Sequence, residues 1–210
     1  MTNGFHGLGI APALLEILSR LHFKTPTPIQ AQTIPVAIHG KDMVGIAQTG
    51  TGKTLAFGIP MIQRLAQVKG QGLIVLPTRE LALQVDEVLK KIGHSIGLRT
   101  AILIGGTSLR PQIQALLKKP HIIIATPGRL NDHLNQKNIR LHDVRVVVLD
   151  EADRMLDMGF LPQIQKILHA LPKDRQTMLF SATMPHEIMK IAASYMKFPI
   201  RVEIAPAGTT

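Results

Sequence analysis

Two stretches of this sequence carry residue types that could handle a phosphorylated ligand. Ala47-Gln48-Thr49-Gly50-Thr51-Gly52-Lys53-Thr54 follows an apolar run and opens a helical pattern. Gly50 and Gly52 free the backbone to take positive φ, so that successive N–H groups can converge on phosphate oxygens. The helix that begins there adds the positive end of its dipole. In such a loop Lys53 reaches the β- and γ-phosphates and Thr54 offers its hydroxyl to Mg²⁺. The generic phosphate-loop pattern begins with Gly, where this chain has Ala47. On this stretch alone, a Gly-rich strand-to-helix turn is the competing reading.

The second stretch, Val146-Val147-Val148-Leu149-Asp150-Glu151-Ala152-Asp153, is an apolar strand that ends in acids. Carboxylates at the C-terminal end of a strand in an open α/β sheet sit at the ligand crevice. Asp150 is placed to hold Mg²⁺, and Glu151 to polarise an attacking water. Asp153 reads as a structural link. An acidic helix N-terminus, which the dipole favours in any case, is the alternative. The phosphate loop upstream weighs against it.

These loops must be held by strands and helices. Short apolar runs predict strands at Met43–Ala47, Leu73–Leu76, Thr100–Leu103, Ile122–Ala125, Val144–Leu149, Met178–Phe180 and Ile200–Ile204. Between them lie helical stripes, one marked by Leu81, Val85, Val88, Leu89 and Ile92, another by Leu161, Ile164, Ile167, Leu168 and Leu171. Continuous rather than alternating apolar strands imply a sheet covered on both faces. Strand–helix alternation makes the expected fold α/β, a doubly wound, mostly parallel sheet with helices on both faces. No repeat, low-complexity tract or interior linker interrupts the pattern, so one domain is expected over residues 1–204, with 205–210 reading as the start of a linker.

Composition narrows the function classes. The 210 residues include 24 Lys and Arg against 14 Asp and Glu, a net charge of +10. A surplus of this size suits a polyanionic partner such as nucleic acid. The cations are dispersed, which predicts a basic groove rather than a charged arm. With six Phe, one Tyr and no Trp, base stacking has few platforms, so backbone contacts that ignore sequence are expected. The absence of Cys excludes a disulfide framework and Cys-based zinc sites. The nine His residues show no metal-ligand spacing. No apolar run approaches the roughly 20 residues of a membrane span, and no signal peptide is read at the amino end. A cytoplasmic location is expected.

Together the motifs carry a family resemblance. Asp150-Glu151-Ala152-Asp153 spells the DEAD box, and from about Phe5 to Glu203 the chain resembles the amino-terminal RecA-like domain of DEAD-box RNA helicases, a P-loop NTPase fold. Pro77-Thr78-Arg79-Glu80-Leu81-Ala82 is similar to motif Ia, Gly105-Gly106 to the GG element, Thr126-Pro127-Gly128-Arg129 to motif Ib, and Ser181-Ala182-Thr183 to motif III. Phe23 to Gln30 resembles the Q motif, although His22 stands where the family usually has Gly. Ala47 in the phosphate loop also matches the family's habit.

The resemblance implies an ATP-dependent RNA helicase, an RNA-stimulated ATPase using ATP/ADP and Mg²⁺. It implies that Gln30 reads adenine, Phe5 stacks on its ring and Phe23 shapes the pocket. It assigns RNA contacts to Pro77, Thr78, Arg79, Gly105, Gly106, Thr126, Pro127, Gly128 and Arg129. Local chemistry agrees in two places: Thr126 can cap a helix with Pro127 at its first position, and Thr78 with Arg79 repeats that arrangement. Singly, each of these reads better as plain helix capping. Asp153, Ser181 and Thr183 are implied to couple nucleotide state to the rest of the core.

A second RecA-like domain, which carries an arginine-rich motif facing the γ-phosphate, has no counterpart in these residues. The expected partners are therefore RNA and that second domain, the chain itself is expected to be monomeric, and alone it is expected to be nearly inactive. Two other classes compete: a different P-loop enzyme such as a DNA helicase or kinase, against which the Ia, Ib and III stretches argue, and a non-catalytic binding module, against which intact Lys53, Asp150 and Glu151 argue.

Overall fold

The apolar runs become one sheet. The computed structural model describes residues 4–206, so the final four residues of the expected linker start lie outside the described residues. The strands are β1 (Met43–Ile46), β2 (Gln71–Val75), β3 (Thr100–Leu103), β4 (Ile122–Ala125), β5 (Val144–Leu149), β6 (Gln176–Ser181) and β7 (Ile200–Glu203). They lie in the order β3-β4-β2-β5-β6-β1-β7, and every pairing is parallel. The mostly parallel sheet expected from the sequence is therefore wholly parallel among the described residues.

A parallel strand needs a crossover to reach its neighbour, and helices supply it. Ahead of β1 lie α1 (Pro12–Arg20) and α2 (Pro28–Ala37); the crossovers carry α3 (Lys53–Gln67), α4 (Arg79–Gly93), α5 (Leu109–Leu117), α6 (Pro127–Asn135), α7 (Ala152–Asp157), α8 (Leu161–Ala170) and α9 (His186–Tyr195). Along the inner strands side chains alternate between two cores. Ile122 and Ile124 face a core shared with Phe57, Leu89 and Ile34 of α2 to α4. Ile123 and Ala125 face the other, with Leu130, Ile164 and Ile188 of α6, α8 and α9. That split is what a sheet covered on both faces demands.

Close packing fixes the middle of the sheet. A side chain on Gly45 would come within 2.6 Å of the Phe180 ring, and one on Gly72 within 2.5 Å of the Met61 sulfur. Both strands run there with no Cβ because a neighbour occupies the space. No helix among the described residues is long and apolar enough to cross a membrane.

Since all strands are parallel, all their C-terminal ends share one edge of the sheet. The loops after β1, β5 and β6 lie side by side at its centre, and those after β2, β4 and β3 continue toward one flank.

Candidate nucleotide and nucleic-acid site

The phosphate loop spans the turn from β1 to α3. Gly50 and Gly52 adopt φ of 85° and 86°, the left-handed region that glycine tolerates. Thr51 closes the turn by donating its hydroxyl to the Gln48 carbonyl at 2.7 Å. Gly52 caps α3, and a Cβ there would meet the Gln30 amide at 2.5 Å. Lys53 opens the helix and is buried, with Thr54 half-buried behind it.

The acids arrive from β5. Asp150 extends the strand by donating its N–H to the Val75 carbonyl at 2.9 Å. Glu151 then turns the chain into α7 with φ of 54° and ψ of 47°. A non-glycine residue in that region is uncommon and strained, and the turn aims Glu151 at the phosphate loop. Lys53 Nζ lies 2.9 Å from Glu151 Oε1 and 3.4 Å from Asp150 Oδ1. Thr49 donates its hydroxyl to the same Glu151 oxygen at 3.1 Å. Burial would lower the affinity of Lys53 for its proton, but Asp150 and Glu151 outweigh it and hold the ammonium above the usual lysine value. Burial pushes the Asp150 carboxyl up; Lys53 opposes that shift and Glu151 adds to it.

Gln30 is tied to this loop from α2. Its Oε1 accepts from the Thr27 N–H at 2.9 Å, and its Nε2 donates to the Gly52 carbonyl at 3.1 Å. With the Thr27 hydroxyl accepting from the Gln30 N–H, this is a capping box. Phe23 is 36% exposed, whereas Phe5, expected to stack on the adenine ring, is 1% exposed and lies in the core, so its ring offers no open face to a base.

Farther along the same edge, Thr78 caps α4 by accepting from the Leu81 N–H at 3.2 Å. Pro77 is buried and Arg79 exposed. Gly106, at φ of 77°, leaves room for the Arg79 guanidinium, which a Cβ would meet at 3.1 Å, while Gly105 faces open space. After β4, Pro127 starts α6 as expected, but the Thr126 side chain makes no cap hydrogen bond. The expected hydroxyl cap is therefore absent: Thr126 contributes its carbonyl, which accepts from Leu130 at 3.0 Å. Gly128 is half-exposed beside it. Arg129 turns inward, donating to the Thr107 carbonyl at 2.8 Å and to Gln112 Oε1 at 3.3 Å.

A DEAD/DEAH box helicase family model matches residues 27–191. The chain belongs to the DEAD/DEAH box helicase family. It is 50% identical over 208 residues to the DEAD-box ATP-dependent RNA helicase CshA of Bacillus cereus, covering 98% of this chain and 40% of that protein. It is 47% identical over 206 residues to an ATP-dependent rRNA helicase of Debaryomyces hansenii, covering 97% of this chain and 43% of that protein. The crystal structure of a DEAD box protein from the hyperthermophile Methanococcus jannaschii superposes with a TM-score of 0.90 at 39% identity, over 96% of this chain and 56% of the other. The chain thus spans less than half the length of these two curated relatives, and its fold is the RecA-like α/β fold of the family.

The last acid of the DEAD box serves a different purpose from the first two. Asp153 accepts from the Thr183 hydroxyl at 2.8 Å and the Thr183 N–H at 3.1 Å, while its own N–H donates to the Ser181 hydroxyl at 3.1 Å. These bonds clamp the start of α7 to the end of β6. Burial works against the Asp153 charge, but the bonds from Thr183 and Ser181 outweigh it and hold the carboxyl below its ordinary value. Ser181 and Thr183 do not cap α9, whose N-cap is Pro185.

Sequence reasoning passed over a second polar cluster. Gln112 on α5 is buried and donates to the Ile104 carbonyl at 2.8 Å and the Thr107 hydroxyl at 3.0 Å. Its Oε1 lies 2.7 Å from His133 Nε2, and Asn138 lies 3.1 Å from the other ring nitrogen. Through Gln112, the Gly105-Gly106 loop and the motif Ib helix are built as one unit. The available signal was a glutamine on the apolar side of a helix, which periodicity alone does not single out.

Proposed function

We propose that this chain is the ATP-binding half of an RNA-remodelling enzyme that acts with a second RecA-like domain. The observation that carries the reading is the buried cluster of Lys53, Asp150 and Glu151, set on the same sheet edge as the loops after β2, β3 and β4. ATP phosphates lie in the 48–54 loop against its backbone N–H groups, and Lys53 leaves Glu151 to meet them. The residues present suit Mg²⁺: two buried carboxylates face one ammonium, which leaves surplus negative charge lined by oxygen donors. Magnesium takes one or two carboxylates together with substrate phosphates, so Asp150 and the Thr54 hydroxyl would hold it. When bound, the ion neutralises charge that develops on the transferred phosphoryl group. Glu151, released from Lys53, orients the attacking water.

Gln30 acts as the adenine reader of a Q motif. An amide offers two protons and two acceptor lone pairs; the bonds to Thr27 and Gly52 use one of each, and the others remain for the base edge. Phe23 shapes that pocket, and the buried Phe5 supports it from the core in place of the ring stacking expected of it. RNA runs across the flank formed by Pro77, Thr78, Arg79, Gly105, Gly106, Thr126, Pro127, Gly128 and Arg129, held by its backbone. Asp153, Ser181 and Thr183 transmit the state of the nucleotide site to the rest of the core. The cysteine-free composition supports a cytoplasmic setting.

Calorimetric titration with ADP and with GDP, each with Mg²⁺, tests the adenine reading. ADP is expected to bind, GDP to bind at least tenfold more weakly, a gap of about 1.4 kcal/mol, and Gln30→Ala to erase the difference while the melting curve confirms folding. Equal affinity of the unaltered chain for both nucleotides would overturn Gln30 as the reader and leave a phosphate loop without base choice.

A further inference from the structure

The sheet ends in β3, which is hydrogen-bonded only to β4. Along its open side runs a groove of about 790 Å³ lined from three elements: Lys90 at the end of α4, Arg99 and Thr100 at the start of β3, and Ser108, Arg110 and Lys118 on or beside α5. Four of these six are cations, and no carboxylate lines the groove. Asp86, just behind, is buried and already holds Lys90 at 2.9 Å and the Thr100 hydroxyl. Arg99 donates to the Lys119 carbonyl at 3.1 Å. Arg110 and Lys118 are exposed and form no ion pair among the described residues. His121, whose ring accepts from the Arg99 N–H, binds a proton less readily than usual, through burial first and then the Arg99 charge.

We propose that this groove is an accessory binding surface for the phosphate backbone of nucleic acid, continuing the path that crosses the Gly105-Gly106 loop. The proposal rests on the RNA-edge reading above and extends it. The groove begins where that edge ends: Ser108 and Arg110 follow Gly105-Gly106-Thr107 directly in the chain. From there it descends along β3 to Arg99 and Lys118. Charged side chains on an edge strand also discourage strand addition. That task needs cations on the strand itself, whereas three of these four come from the flanking helices and their ends and face one channel. Charge complementarity selects a polyanion, and the size of the groove suits a strand of phosphates rather than one ion.

The test is binding of fluorescently labelled oligouridylates of about 6 and about 20 nucleotides to the 210-residue chain, bracketing the roughly 4–16-nucleotide footprints of single-strand binders. The variant is Arg110→Gln with Lys118→Gln, both exposed, with melting curves to confirm folding. The longer RNA is expected to bind the unaltered chain more tightly than the short one. The variant should lose roughly tenfold for the longer RNA at low salt, reduce its salt slope by about 1.4, and leave the short RNA unchanged. If the long RNA gains nothing over the short one, or the variant binds it as the unaltered chain does, the groove carries no backbone. If polyglutamate peptide binds the groove and RNA does not, its occupant is an acidic peptide and the proposal falls. Arg79→Gln separates the two readings. Loss of short-RNA binding there supports the edge, while no effect there combined with a variant-sensitive long RNA would sink the edge reading and leave the groove standing.

Discussion

Lys53 lies 2.9 Å from Glu151, so a phosphate approaching the ammonium competes with that carboxylate. Glu151→Gln removes the charge while Asp150, at 3.4 Å, still balances Lys53. ADP affinity measured by calorimetry is expected to rise, on the order of tenfold or about 1.4 kcal/mol; unchanged or weaker binding would show that the pair does not compete with the ligand. Asp153 sets a pH dependence. Its carboxyl is held below the ordinary value of 3.8, because the Thr183 and Ser181 bonds outweigh burial. A depressed folded value means stability that is present above the ordinary value and lost as pH falls through the folded one. The stability advantage of the unaltered chain over Asp153→Asn should therefore stay level above 3.8 and shrink below it, as read from urea midpoints across acid pH. His22 illustrates what one sequence hides. It stands where the family usually has Gly, and its φ is 66°, a conformation that costs an ordinary L-residue about 1–2 kcal/mol. Part of that is offset by the larger unfolded-state freedom of glycine, so His22→Gly should stabilise the chain by about 0.5–1 kcal/mol in urea unfolding.

At the scale of elements, the strands were legible because burial on both faces leaves nearly unbroken apolar runs such as Ile122–Ala125 and Val144–Leu149. All seven expected strands are present, and their errors lie at the ends. β2 begins at Gln71 and β6 at Gln176, both earlier than hydrophobicity suggests. Gly72 is bare because Met61 packs on it, and Gln176 is a buried polar residue whose amide donates to the Ala37 and Lys41 carbonyls at 2.8 and 2.9 Å. Partners so distant in sequence leave no local trace. Helix starts were legible where a side chain caps, as at Thr78, and misleading where it does not, as at Thr126. The two make a paired prediction. Thr78→Ala removes a cap bond and should cost about 1 kcal/mol, lowering the melting temperature by roughly 2–4 °C for a chain of this size. Thr126→Ala should cost clearly less, because only a half-buried hydroxyl without a cap bond is lost. Equal losses at the two sites would mean that the Thr78 hydroxyl contributes nothing through α4.

At the scale of the whole molecule, the parallel sheet gathers the proposed nucleotide loops and the proposed RNA loops on one edge, and the chain matches 40% of the length of its Bacillus cereus relative. Among the described residues Lys53 is the one cation paired with Asp150 and Glu151. Arg129, the arginine of motif Ib, is turned toward the Thr107 carbonyl. Phosphoryl transfer in P-loop enzymes gains about 10³–10⁵-fold from an arginine brought against the transferred group. Among the described residues, no arginine has a bond or ion pair to the phosphate loop or to these acids. Binding and turnover should therefore separate in this chain. Calorimetry should register ADP with Mg²⁺, while phosphate release from ATP should stay within about tenfold of background and respond little to saturating RNA. Joining a second RecA-like domain to the carboxy-terminal end of this one, as a single polypeptide, should raise turnover by about 10³-fold or more and make it depend on RNA. Brisk RNA-stimulated hydrolysis by the 210 residues alone would instead require a charge-stabilising group within this domain, and Arg79, the exposed arginine of the shared edge, would be the first to replace.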